Sequence, residues 1–295
     1  MKNKIILLLL SLILTSCAFN KKFLQPQNIP QNTRTINLST QSDTIKISIE
    51  PETYQPTFLK QNGDTLDLDY TVKSVVFKSS DGNKLNGWIL KSKNVPSNNI
   101  TLLHLHGNGG FLFNQYQRMI PLLKYGFQIF LFDYSGYGYS EGKPTRKNII
   151  KDAISAVSYV KNNKKFENTN LIIYGQSLGA NLGAIIAPKI ENEINGLVLE
   201  GAFSNHKDMA ADVGGFLGRI LVAEKNNALK TIKNYHKPVL VIHSKEDKVV
   251  PYKLGKKLYN AANKPKEMYT IKKCHMCGPE YYGKEISEKI EQMVK

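Results

Sequence analysis

A serine set between glycines, Gly175-Gln176-Ser177-Leu178-Gly179, is the stretch of this 295-residue chain best suited to chemistry. The apolar run 171–173 precedes it and reads as a buried strand, and Gly179, Gly183 and Ala187 follow it at helical spacing. Strand, tight turn and helix together lift a serine hydroxyl onto a sharp bend, where it can attack an acyl carbon. The glycines relieve clashes in the bend, and the small helix face lets the helix approach the sheet. A second match, Gly138-Tyr139-Ser140-Glu141-Gly142, competes with the first. Five residues separate it from its strand at 127–132, and Lys143-Pro144 follows, so no helix starts inside that turn. Ser140 therefore reads as part of a glycine-rich loop.

A serine hydroxyl is a poor nucleophile at neutral pH. It needs a base to accept its proton and a carboxylate to orient that base. On a strand–turn–helix elbow the partners follow in the order serine, acid, histidine. Of the six histidines, His104 and His106 precede Ser177, while His206, His236 and His243 precede the acid candidate Asp247. With Asp247 as the acid, His275 is left as the base. Glu246 is a rival acid, and Asp133, upstream of the serine, reads as a structural residue holding the loop after it. Attack on a carbonyl also needs backbone donors for the oxyanion. Leu178, directly after the nucleophile, is expected to supply one. The loop His106-Gly107-Asn108-Gly109-Gly110 is expected to supply the other, from Asn108 or, failing that, Gly109. That loop lacks the Lys-Ser/Thr of a phosphate cradle.

The elements that must position these residues alternate. A hairpin is expected at 72–78 and 85–90, and strands at 100–105, 127–132, 171–173, 196–199, 239–243 and 268–271. Helices are expected at 115–125, 145–162, 252–261 and 279–293. Alternation of this kind implies a mainly parallel α/β sheet with helices on both faces. In such a sheet ligands sit beyond the carboxyl ends of the strands. His106, Asp133, Ser177, Asp247 and His275 all follow strand ends.

From about residue 72 onward the chain resembles an α/β-hydrolase and is most similar to the Bem46-like branch, near serine aminopeptidase-type and carboxylesterase-type members. The residues that carry the resemblance are His106-Gly107-Asn108-Gly109-Gly110, Asp133 through Ser140, Gly175 through Gly179, Asp247 before Val250-Pro251, and His275. The resemblance implies a Ser177–Asp247–His275 triad, no cofactor, and a small-molecule acyl or ester substrate cleaved through an acyl-enzyme. A peptidase or amidase on the same triad, and a non-catalytic binding protein, remain alternatives. Where such enzymes carry a cap, residues 203–237 are short; they read equally as a small helical lid over an acyl site or as a plain connecting helix. Cys274 and Cys277 bracket His275. In an oxidising compartment they would form a disulfide stiffening that loop, and two thiols without a second pair do not make a zinc site.

The N-terminus carries a different signal. Lys2 and Lys4 precede a short apolar stretch at 5–14, and Leu14-Thr15-Ser16-Cys17 resembles the lipobox of bacterial lipoproteins. The expected organisation is a signal peptide at 1–16, a lipid on Cys17, a flexible tether at 17–42 rich in Asn, Gln and Pro, and a catalytic domain at 43–295. An ordinary signal peptide with an incidental cysteine is the alternative. The lipoprotein reading places the protein in a bacterial cell envelope, anchored to a membrane. The net charge of +16 comes from scattered lysines without a nucleic-acid-binding motif. It therefore implies a solvated basic surface, suited to an anionic membrane, and no nucleic-acid partner. Nothing in the sequence sets an oligomeric state.

Overall fold

Five strands of near-continuous apolar sequence form the centre of the computed structural model, which describes residues 23–39, 44–224 and 226–295. In chain order the strands are β1 (Gln25–Pro26), β2 (Thr35–Ser39), β3 (Thr44–Ile49), β4 (Pro56–Leu59), β5 (Tyr70–Lys78), β6 (Lys84–Ser92), β7 (Ile100–Leu105), β8 (Gly109–Gly110), β9 (Gln128–Phe132), β10 (Asn170–Gln176), β11 (Gly196–Glu200), β12 (Val239–Ser244) and β13 (Lys266–Ile271). The main sheet runs β13-β12-β11-β10-β7-β9-β6-β5. The β5–β6 hairpin and the β6–β9 pair are antiparallel, and the remaining pairs are parallel. β7, β9, β11 and β12 are buried along their whole lengths, as expected of parallel strands covered on both faces.

The helices are α1 (Leu112–Gln115), α2 (Arg146–Lys161), α3 (Leu178–Ile186), α4 (His206–Leu221), α5 (Ala228–Thr231), α6 (Tyr252–Ala261) and α7 (Gly278–Gln292). α2 starts where the Thr145 side chain accepts the Asn148 N–H, and it buries Ile149, Ala153, Val157 and Val160 in one core with α3 and with Leu254 and Leu258 of α6. The opposite core takes Ile286 and Ile290 of α7 together with Trp88, Phe113, Tyr116 and Leu122. The architecture is thus the mainly parallel sheet with helices on both faces that the alternating pattern predicts.

Two regions depart from the sequence expectations. The helix expected at 115–125 is instead the single turn α1 followed by 3-10 turns at Tyr116–Arg118 and Ile120–Tyr125. Pro121 lacks the N–H that a continuous α-helix would use, and Gly126 ends the segment in a left-handed conformation. The second departure lies in the expected tether. Its described part, residues 23–39, lies on the domain: β1 pairs with β8, β2 joins β3 and β4 in a three-stranded antiparallel sheet, and the Ile29 N–H donates to the Gly138 carbonyl at 2.9 Å. Cys17 and the signal segment lie outside the described residues.

α3 packs closely on the end of β7. A Cβ on Gly179 would overlap the Leu105 carbonyl, whereas one on Gly183 would stand 3.2 Å from Leu197. Gly179→Ala should therefore cost about 3 kcal/mol or more, because backbone must move, and Gly183→Ala about 1 kcal/mol. Urea unfolding of both variants checks this order, and equal midpoints would refute it.

Candidate active site

β10 delivers Ser177 to the carboxyl edge of the sheet in a conformation that few residues adopt, φ 54° and ψ −113°. Such a backbone stores about 1–3 kcal/mol and persists only when its surroundings hold it. Here the Ser177 N–H donates to the Glu200 carbonyl at 2.9 Å, and the Ser177 carbonyl accepts the N–H groups of Ala180 and Asn181 as α3 begins. This is the strained turn predicted for Ser177. The rival Ser140 is buried and doubly bonded: its hydroxyl donates to the Asp133 carbonyl at 2.7 Å and accepts the Asn86 N–H at 3.0 Å.

The acid and base candidates meet. His275 Nδ1 donates to Asp247 Oδ2 at 2.6 Å, while Asp247 Oδ1 accepts the N–H groups of Val249 and Val250, each at 2.8 Å. Burial pushes the Asp247 carboxyl up, but the bond and charge of His275 and the two amides outweigh it, and the net shift is below the ordinary value. Among the described residues His275 Nε2, on the side of the ring opposite the carboxylate, is buried without a hydrogen-bond partner. Glu246, the rival acid, accepts the Lys273 N–H at 3.1 Å. Cys274 and Cys277 are joined in a disulfide around the His275 loop.

The loop after β7 is held by its neighbours. The Tyr134 hydroxyl donates to the His106 carbonyl at 3.0 Å, the Tyr137 hydroxyl to the Asn108 carbonyl at 2.9 Å, and Gln115 Nε2 to the Gly109 carbonyl at 2.7 Å. Fixing three carbonyls fixes which way the intervening N–H groups can point. Asp133 holds the far side of the loop by accepting the Leu112 N–H at 2.6 Å, and burial raises its carboxyl to about 8. Its carboxylate holds the start of α1, and its carbonyl, through the Ser140 hydroxyl, holds the following loop as expected from the sequence. Asn108, Ser177 and Leu178 all line one cavity of about 210 Å³, whose other walls include Phe23, Phe203, Met209, Val213 and Val250.

Two residues escape a sequence reading. Gly201 has φ 59°, and a Cβ there would stand 2.8 Å from the His275 ring, so only glycine lets the histidine settle against β11. Glu200 is buried, and its carboxylate accepts from the Tyr174 hydroxyl at 2.9 Å, Gln176 Nε2 at 2.7 Å and the Gly278 N–H at 2.6 Å. Burial pushes this carboxyl up, opposed by those three donors and by His275. Glu200 thereby ties the strand entering the elbow to the end of the histidine loop. No motif or spacing points to it, since it simply follows the strand expected at 196–199.

With this geometry in place, comparison with known proteins is decisive for the family. The family model for the alpha/beta hydrolase fold matches residues 100–221. The chain is 30% identical over 205 residues to the Escherichia coli O157:H7 protein YfhR, covering 68% of this chain and 72% of that one. It is 28% identical over 195 residues to the lysophosphatidylserine lipase ABHD12 of Danio rerio, spanning 50% of that protein. Among solved structures, the Pyrococcus furiosus esterase Pf2001 superposes with a TM-score of 0.66 at 18% identity, covering 92% of this chain and 97% of that one. Est1E of Butyrivibrio proteoclasticus, solved with ferulic acid, gives 0.61 at 20% identity over 75% of this chain and 97% of its own. The chain belongs to the α/β-hydrolase superfamily.

Two predictions follow from the buried polar groups. Glu200→Gln puts an amide donor where Tyr174 and Gln176 donate, so it should cost about 2–3 kcal/mol in urea unfolding; an unchanged midpoint would refute the clamp. Burial lowers His104 to about 3 and His106 to about 4, so the folded chain keeps both neutral where an unfolded histidine takes up a proton near its ordinary value of 6.5. The unfolded state therefore binds more protons, and stability is lost as pH falls from about 6.5 toward 4, by up to about 1.4 kcal/mol per pH unit for each histidine. His104→Gln should flatten this loss in thermal unfolding between pH 7 and pH 5, and a loss as steep as the parent's would count against a neutral His104.

Proposed function

We propose that this protein is a serine hydrolase that cleaves carboxylic esters with an apolar acyl group. Ser177 Oγ attacks the ester carbonyl as His275 Nε2 takes its proton. Asp247 holds the ring through Nδ1 and stabilises the imidazolium. The N–H groups of Leu178 and Asn108 receive the oxyanion. His275 then protonates the departing alcohol, and water, deprotonated by the same nitrogen, releases the acid and restores Ser177.

The observation that carries this reading is the cavity at Ser177. Its walls are aromatic and aliphatic, and none of the described residues lining it is charged. An acyl chain is stabilised there by burial, whereas a peptide amino terminus would bring an ammonium with no carboxylate to meet it. The lipase and esterase among the similar proteins agree with an ester substrate. The Leu14-Thr15-Ser16-Cys17 sequence supports a lipid on Cys17 and a place on a bacterial envelope membrane.

A fluorophosphonate probe should label the protein, and Ser177→Ala should abolish labelling while Ser140→Ala retains it. Asp247→Asn should lower kcat on a nitrophenyl ester by about a thousandfold or more. Folded protein that resists the probe, or aminoacyl amides cleaved faster than esters, would overturn the assignment. Metabolic palmitate labelling lost in Cys17→Ser tests the anchor.

A further inference from the structure

α4, the helix of the segment expected to form a cap, is apolar on its outer side. Gly214 and Gly215 break α4 with non-helical backbone, and the segment beyond the break carries Phe216 at 76%, Leu217 at 64% and Ile220 at 57% exposure. Val213, before the break, is also exposed, as is Val249 on the loop after β12, and both line the Ser177 cavity. The exposed apolar side chains therefore run from the break in the cap to the cavity mouth. The outer half of α4 is held in place by a latch: Asp208 accepts from Arg219 at 2.6 Å and from Lys257 of α6 at 2.7 Å. A patch of this kind, held in shape and open to solvent, marks a contact surface.

Two observations identify what covers it. Phe23 lies in the wall of the same cavity, and the six-residue span back to Cys17 can reach no more than about 20 Å. A lipid on Cys17 would bring a bilayer within that distance of the cavity mouth. The loops carrying Asp247 and His275, the first of which also carries the cavity residue Val249, present the exposed lysines Lys245, Lys248, Lys272 and Lys273 against the single exposed acid Glu246. Exposed apolar side chains together with loops rich in exposed cations suit a surface of anionic lipid. Among the described residues no helix is long and apolar enough to cross a membrane.

We propose that the outer half of the cap, Phe216, Leu217 and Ile220, dips into an anionic bilayer, so that the Ser177 cavity opens onto the lipid and receives acyl esters from it. The choice of substrate rests on the esterase reading, and the docking does not. Trp88 is the chain's single tryptophan and is fully buried, so Phe216→Trp in the full-length protein reports on the cap. In vesicles of phosphatidylcholine and phosphatidylglycerol, acyl-chain-brominated lipid should quench the emission of that variant at least about twofold and leave the parent's Trp88 emission unchanged. Equal emission in brominated and plain vesicles would overturn the docking. So would a blue shift that appears without lipid and grows with protein concentration, since the patch would then join two copies of the chain. Phe216→Ser combined with Leu217→Ser and Ile220→Ser should retain hydrolysis of dispersed nitrophenyl acetate within about twofold and lose about tenfold on a long-chain ester held in vesicles. Equal activity of this triple variant and the parent on the vesicle substrate would overturn the delivery of substrate from the bilayer. Quenching without turnover of any ester would support the docking and overturn the esterase reading.

Discussion

A single buried glutamate couples the parts of the site that lie far apart in sequence. The Glu200 carbonyl holds the Ser177 N–H, and the Glu200 carboxylate holds Tyr174, Gln176 and Gly278. Gln176 in turn meets His104 on β7 at 3.1 Å. The strained serine, the strand that delivers it and the start of α7, three residues after His275, are thus fixed to one side chain. An ionisable group at such a site is costly unless every lone pair is used, and for that reason the arrangement tolerates few alternatives. The dihedral strain at Ser177 and the close approach of His275 to Gly201 both depend on β11 staying where Glu200 holds it.

The two loops rich in glycine and tyrosine are best understood as one unit. Residues 106–110 supply the wall of the cavity opposite the elbow, and 133–140 supply the tyrosines and the aspartate that hold it. His106 also stacks on Tyr134 with ring centroids 4.1 Å apart. This arrangement explains why a second Gly-x-Ser-x-Gly occurs in the chain. Gly138 packs against the Asp133 carboxylate so closely that a side chain there would clash, and the Ser140 hydroxyl closes the same turn onto Asp133 and Asn86. The glycines of the first motif serve a serine held out at a bend, whereas those of the second serve a buried aspartate.

Most of the fold and the pairing of Asp247 with His275 were legible because the signals are local or ordinal. Buried parallel strands such as β7 and β12 write themselves as near-continuous apolar runs, and the acid and histidine follow the serine in a fixed order. Glu200 and Gly201 were not legible, because their roles depend on Gly278 and His275, which lie more than seventy residues further along the chain and meet them only in the fold. The segment 115–125 has helical spacing of its apolar residues, but Pro121 changes the hydrogen-bonding scheme without changing that spacing. Residues 23–39 read as tether because β1 and β2 are short, polar and attached only at margins, where side-chain pattern carries little information.

That N-terminal segment also changes how the cavity should be understood. The Gln25 N–H donates to Asn108 Oδ1 at 2.9 Å, so the stretch leading out of the expected tether buttresses the residue assigned to the oxyanion. Phe23 packs edge-on against His206 at 4.8 Å, and Arg146 lies over its ring at 5.2 Å, which docks the same stretch onto the first turn of α4 and onto α2. Each contact is worth about 0.5–2 kcal/mol, so no one of them fixes the strap. Their arrangement nevertheless puts the cap, the cavity wall and the Asn108 loop in contact with a segment of a few residues. Any force on the chain before Phe23 reaches those three elements before it reaches the sheet. A polypeptide serving only as a spacer would have no reason to place an aromatic ring in the cavity wall. The strap is part of the candidate site, and its packing and the geometry of the pocket are set together.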